Sequence, residues 1–319
     1  MAIKSNSKFT EPLNQLMQGK AKKAISLIKK IKRSNLKQDE LLFIKRINSR
    51  FVDKKKPVVR CSDPLVKKLL LEYQKYWYEV ILENKNKGTS KKRLYKNIVD
   101  TCNEFGEKIT CLNDEEIQTK VKKIVKKRGY HCIVGTVQPF EDFEVWKSEE
   151  VKEYKVKLVD CVQKVKVVMM SDFISNGWMH FTTAGIYYPG GWATEKALFC
   201  CKGSYNLSSD KYRINYLTHE AQHLRDIRKY KLDNSIKLEY RAKLAELSSP
   251  SRVTLSTFNF FKNNQAKNKS HPHAYANFMV YRDIIRLIKD EDLLVSKESI
   301  NYAAKELLLE DTIKLSVRK

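Results

Sequence analysis

Residues 208–247, SSDKYRINYLTHEAQHLRDIRKYKLDNSIKLEYRAKLAEL, read as two helices with a break between them. Ser208 and Ser209 offer a capping hydroxyl, and Asp210 puts an acid in the first turn, so a helix opens there and runs to about Lys231. Asp233, Asn234 and Ser235 punctuate the chain, and a second helix follows from about Ile236 to Leu247. Inside the first helix lies His219-Glu220-Ala221-Gln222-His223. Positions i and i+4 share a helix face about one turn apart, so both imidazoles can point at a single ion. Glu220 sits one residue round from His219, within reach of that ion's surroundings without being a ligand.

Zinc suits such a pair. It lowers the pKa of a bound water to near neutrality, and Glu220 is placed to take the proton as that water attacks a carbonyl. A catalytic zinc site needs three protein ligands and an open position, and the second helix offers Glu239 and Glu246 as the third. Seven residues apart, they share a face but stand roughly 10 Å apart along the axis, so only one reaches the ion. A short connection into the first turn of the second helix favours Glu239. An antiparallel return of about two turns favours Glu246.

Glu239 also opens the pattern Glu239-x-x-Ala242, with a small residue that lets two helices pack closely. Here, over about residues 209–247, the chain resembles the gluzincin metallopeptidases. That resemblance implies His219, His223 and Glu239 as zinc ligands, Glu220 as catalytic base, and hydrolysis of peptide bonds in a protein or peptide substrate. There is no His-x-x-Gly-x-x-His extension, which sets the chain apart from metzincins. The 15 residues between His223 and Glu239 are fewer than in the thermolysin-like branch. The family commonly places a later His or Tyr over the substrate oxyanion, and His273 and Tyr275, in NKSHPHAYAN at 268–277, are the candidates here. Asp226 and Glu246 are candidates for accepting the second N–H of a ligand histidine.

Upstream, residues 130–202 are rich in β-branched and aromatic side chains. Strands are expected over 134–137, 156–168, 180–188 and 192–201, the last as an edge that could pair with an extended peptide. His131 and His180 fall within these apolar runs and read as structural. Earlier still, apolar residues at spacings of three and four over 8–51, broken near 34–35, predict a helical hairpin. Ser62-Asp63-Pro64 opens a helix to about Glu83, and two more are expected near 90–104 and 114–128. After the motif, Ser249-Pro250 opens a helix, 262–270 is a polar loop, and helices near 273–289 and 297–310 close the chain. The whole predicts an α+β protein, mostly helical. A basic helical N-terminal region, about 1–128, precedes a zincin-like catalytic region with a small sheet, about 129–319.

The formal charge is +25, and residues 1–60 hold 17 Lys/Arg against 4 Asp/Glu. A field of this kind draws polyanions, so contact with nucleic acid or an anionic surface through the N-terminal region is the rival to catalysis. In that alternative the protein is a non-enzymatic binder with an inert or structural zincin core. Seven cysteines, an odd count with no Cys-x-x-Cys, argue for reduced thiols over a disulfide framework. No secretory h-region and no transmembrane segment are read in the sequence, which points to the cytoplasm. A signal-less route of delivery to a host cell stays open.

Overall fold

The computed structural model describes residues 7–34, 36–55, 57–110, 113–269 and 271–317; Cys111 and the break at residue 35 lie outside them. The first helices are α1 (Ser7–Met17), α2 (Ala21–Lys29) and α3 (Gln38–Phe51). The hairpin expected over 8–51 is therefore corrected: its first arm is cut in two. The cut falls at Gly19, whose φ of +71° lies in the left-handed region, and a Cβ there would come 2.3 Å from the Phe140 ring. Apolar residues at helical spacing still bury the inner faces, Phe9, Leu13 and Leu16 on α1 and Phe43, Ile47 and Phe51 on α3.

Helix α4 (Pro64–Trp77) opens where expected. Val66 N donates to Asp63 Oδ1 at 2.9 Å, and Pro64 supplies the fixed φ of the first turn. A π-helical turn, Tyr78–Leu82, extends it. Asn86 and Asn113 cap α5 (Lys87–Glu104) and α6 (Asp114–Lys127) in the same way. The left-handed Gly129 (φ +78°) then stops α6.

The chain next builds β1 (His131–Val137), β2 (Phe140–Lys157) and β3 (Val162–Asn176), followed by α7 (Gly177–Thr182), β4 (Gly191–Ala193) and β5 (Leu198–Cys201). The sheet order is β1-β2-β3-β5-β4, with β3 and β5 parallel and β4 antiparallel to β5. Three strand expectations are corrected. Residues 156–168 are not one strand: β2 ends at Lys157 and β3 begins at Val162, with Leu158 N bonded to Cys161 O at 2.8 Å across the turn. Residues 180–188 do not form a strand, because β3 ends at Asn176 and Gly177 follows with φ +77°, where a Cβ would lie 2.4 Å from Asp142 Oδ2. Asp142 Oδ1 takes the Trp178 N–H at 2.9 Å and the chain turns into α7. Residues 192–201 form a hairpin, β4 and β5, not one strand, with Thr194 N bonded to Ala197 O at 2.9 Å across the turn. His131 stacks on Trp146 in β1 (ring centroids 6.1 Å), and burial pushes His180, on α7, down to about 4.

The remaining helices are α8 (Asp210–Tyr212), a π-helical segment (Arg213–Thr218), α9 (His219–Tyr230), α10 (Ser235–Ser248), α11 (Thr254–Asn263), α12 (Pro272–Asp290) and α13 (Lys297–Val317). Helix α11 begins later than Ser249-Pro250 suggests, with Val253 at its N-cap. The described fold is α+β and mostly helical, and among the described residues no helix is long and apolar enough to cross a membrane.

The chain divides into two compact units, Met1–Ser148 with Ser171–Tyr188, and Glu149–Met170 with Pro189–Lys319. The first has a core that draws α1 to α6 onto β1 and the start of β2, so it continues past residue 128, where the composition changes. The second holds two cores. One packs α10 to α13 together, and the other sets the far ends of β2 and β3, with β5, against the motif helix.

Candidate metal centre

Every group of the centre lies in the second unit, on α9, α10 and α12. Ser209 caps the helical run, its Oγ accepting from Tyr212 N at 3.1 Å. The run is not uniform: the π-helical segment Arg213–Thr218 widens one turn immediately before His219. π-turns of this kind recur beside functional sites because they re-aim the residues that follow. Helix α9 then ends at Lys231, left-handed at φ 52°. Asn234, accepting from Lys237 N at 2.9 Å, starts α10 after a short link.

That link sets which of the two acids faces both histidine Nε2 atoms. Glu239 lies one turn into α10 and level with His223, its Oε1 3.3 Å from His223 Nε2. Its Oε2 is 3.8 Å from His219 Nε2. The two histidine Nε2 atoms are themselves 3.0 Å apart. One donor atom each from His219, His223 and Glu239 falls within 4.8 Å of the others. Glu246, two turns further on, meets the opposite side of His219, with Oε1 2.6 Å from Nδ1. It is placed to accept the Nδ1–H and leave Nε2 directed at the cluster, which is how a ligand histidine is oriented. Asn215 donates to Glu246 and, at 3.0 Å, to Thr257 Oγ1, so this supporting carboxylate is itself held.

The donor set passes a test of its own chemistry. Two neutral-capable imidazoles and a carboxylate form a common catalytic zinc set. Buried polar atoms are nearly always hydrogen-bonded, yet Glu239 Oε2, which faces His219 Nε2, is buried without a hydrogen-bond partner among the described residues. His273 Nδ1 approaches Glu239 Oε2 to 2.7 Å but out of line for a hydrogen bond. The electrostatics agree with a site built for positive charge. Burial alone would push His219 down, but the Glu239 and Glu246 carboxylates outweigh it and raise it to about 10. Burial likewise raises Glu239, and the three facing histidines more than reverse this, holding it well below the usual carboxylate range.

The other expected residues divide. Glu220 is 9% exposed and, among the described residues, has no hydrogen-bond or ion-pair partner. His273 reaches the cluster through Glu239 while its side chain stays 76% exposed. Tyr275 packs its ring on Phe278 (6.1 Å), and among the described residues no polar contact joins it to the motif residues. Asp226 does not support a ligand histidine. It is wholly buried and takes Arg241 Nε and Nη2 at 2.8 and 3.0 Å and Gln222 Nε2 at 2.9 Å, tying α9 to α10. Arg241 in turn reaches Asp311 Oδ2 (2.7 Å) and Thr312 on α13.

Three participants escape a reading of the sequence: Asn215, Arg241 and Lys243. Asn215 stands four residues before His219, a spacing that could have placed it on the same face. Arg241 and Lys243 look like solvent-facing cations of a Lys-rich chain, but α10 is buried on every side from Glu239 to Leu247.

No protein-family model, no curated protein and no solved structure matches this chain. The chemistry of the centre therefore rests on its own residues.

Proposed function

We propose that the protein is a zinc-dependent hydrolase of peptide bonds, with His219, His223 and Glu239 holding the ion and Glu220 as the general base. The observation that carries this is the convergence of three metal-type donor atoms within 4.8 Å, on two helices, in a buried setting. An ion there would act as a Lewis acid toward a carbonyl and make a water acidic enough to attack at neutral pH. Glu220 has a carboxylate unengaged by any other described side chain, so it is free to take a proton from the attacking water and hand it to the leaving amine. Glu246 fixes the His219 ring, and Asn215 fixes Glu246. His273, exposed and beside Glu239, is the candidate for contact with substrate, and protein or peptide is the substrate class.

The test is metal content followed by activity. Protein purified without chelator should carry about one zinc per chain, and His223→Ala should lose it. A chain free of stoichiometric transition metal, or a His223→Ala variant that retains the full amount, would sink the proposal.

A further inference from the structure

The sheet of the second unit has an outer face that the metal centre does not use. On the inner face Val167, Met169, Leu198 and Cys200 pack with Ala221 and Leu224 of α9. Side chains alternate along a strand, so Val168 and Phe199 point the other way. Val168 stands opposite Phe199, and Phe199 opposite Trp192, so the three form one row across β3, β5 and β4. The Phe199 and Trp192 rings are stacked, with centroids 5.3 Å apart and an interplanar angle of 6°. Both are partly exposed, and neither belongs to any of the described hydrophobic cores. Strand β4 is the edge of the sheet, so no strand lies beyond the free face of the Trp192 ring. By the same alternation Lys164 and Lys166 of β3 share the outer face with Val168. Glu153 of β2 lies 3.8 Å from Lys166, which places Lys155 and Lys157 on that face too. All four lysines are exposed, and among the described residues Lys155, Lys157 and Lys164 make no ion pair.

The wet side of a sheet that is packed on one face is ordinarily polar, and the lysines follow that rule. The stacked pair does not. Cross-strand packing explains why the two rings meet. It does not explain an indole kept on the solvent side of an edge strand. Flat rings and unpaired cations therefore lie together on one surface. An acidic peptide would satisfy the lysines and leave the rings idle, and an apolar peptide would cover the rings and strand the lysines. A single strand of nucleic acid matches both, because its bases offer flat faces for stacking and its phosphates offer charge. A duplex offers the charge alone, since its bases are stacked on one another. We infer that this outer face binds single-stranded nucleic acid, with a base stacked on Trp192 beside Phe199 and phosphates neutralised by Lys164, Lys166 and their neighbours on β2. The surface is separate from the lysines of α2, and the inference does not depend on the zinc-hydrolase reading.

Tryptophan fluorescence makes the test specific. Trp77, Trp146 and Trp178 are buried, so a base that quenches by stacking reaches Trp192. Titrated at low salt with oligouridylate, the full chain should bind with quenching, and about tenfold more tightly than it binds a duplex of the same length. Trp192→Leu should bind the oligouridylate about tenfold more weakly, lose the quenching and keep the salt dependence. Lys164→Gln with Lys166→Gln should do the opposite. It should keep the quenching, while its log–log salt slope becomes shallower by about 0.7 for each phosphate no longer neutralised. An unchanged melting temperature shows that each variant is folded. Should Trp192→Leu fail to fold, the unaltered protein decides the matter by quenching with oligouridylate and not with heparin, a polyanion without bases. Binding of oligouridylate without quenching overturns the inference, as does equal affinity for the duplex or no binding at low salt. Metal content is measured separately, so a failure here and a failure of the proposed function are distinguishable.

Discussion

Residues 20–37 and the pair α9–α10 carry similar densities of charge and treat it in opposite ways. Between Glu11 and Asp39 there are eight Lys/Arg and no acid, and all eight are exposed. Among the described residues none of them pairs with a carboxylate. In α9 and α10, by contrast, His219, Glu220, His223, Arg225, Asp226, Glu239, Arg241, Lys243 and Glu246 are all 9% exposed or less. Charge in water is inexpensive, so the N-terminal stretch says little about what the protein does. Charge out of water costs several kcal/mol per ion unless it is paired. Each buried group must then have a partner or a purpose. Arg241 and Asp226 have each other, and Arg225 has Asp160 with Cys161. His219, His223 and Glu239 have one another. Glu220 has no polar partner among the described residues.

The contrast breaks first at Glu220. A partnerless, largely buried carboxylate is unfavourable for stability, so replacing it should cost function and not fold. Glu220→Gln should keep the zinc and the melting temperature and slow hydrolysis by roughly 10³-fold, in the range of general-base removals. Comparing new N-termini in a lysate treated with each version reads this directly. Identical cleavage patterns would remove Glu220 from the chemistry.

Next in size is the buried ion pair. Arg241→Met leaves Asp226 wholly buried with only Gln222 to solvate it, and should destabilise by about 3–5 kcal/mol, seen as a lower urea midpoint. Replacing Asp226 and Arg241 together by apolar residues should cost much less than either change alone. A loss under about 1 kcal/mol for Arg241→Met would mean that water reaches Asp226 once the guanidinium is gone.

The same contrast explains what was legible in the sequence. The α+β, mostly helical character could be read, as could the caps at Asp63 and Ser209 and the helix that carries the motif, because each depends on neighbours within a turn or two. The choice of Glu239 over Glu246 was only half legible. The spacing showed that one acid alone could reach the ion, but not how short the link between α9 and α10 would be. What stayed hidden depends on distant contacts. Gly19 splits a periodic helix because Phe140 occupies the space a side chain would need. Residues 180–188 look like a strand, yet Asp142 draws the chain into α7. The long strand β2 is masked by its outer half, where Lys and Glu alternate in solvent. Arg241 and Lys243 resemble every other cation of this composition, and only the packing around α10 marks them.

Smaller effects separate a ligand from its support. Glu239→Ala should lose zinc outright. Glu246→Ala should keep it, with affinity lowered about 10- to 100-fold, because the His219 ring loses its orienting acceptor while the donor set stays whole. Chelator competition ranks the two. The reverse ranking would make Glu246 the ligand and Glu239 the support.

The smallest effect on stability belongs to the exposed stretch, and it tests the other side of the contrast. Lys22, Lys23 and Lys29 of α2 and Lys30 at its C-cap are exposed, while Ala21, Ala24 and Ile28 of the helix are buried. The apolar face is already used, so this helix has only charge to offer a partner. Replacing the four lysines with alanine removes unpaired surface cations and substitutes a residue of slightly better helix propensity. Stability should change by less than about 0.5 kcal/mol for each, measured by denaturant midpoint. If the face binds a polyanion, the unaltered protein should hold duplex nucleic acid at low salt with an affinity that falls steeply as salt rises. The four-alanine variant should then show a log–log slope shallower by about one for each phosphate no longer neutralised. If the face is only solvated, neither protein binds. A variant that binds with the same slope as the unaltered protein would place the binding surface elsewhere in the chain, because counterion release counts the cations that touch phosphate and is blind to those that do not.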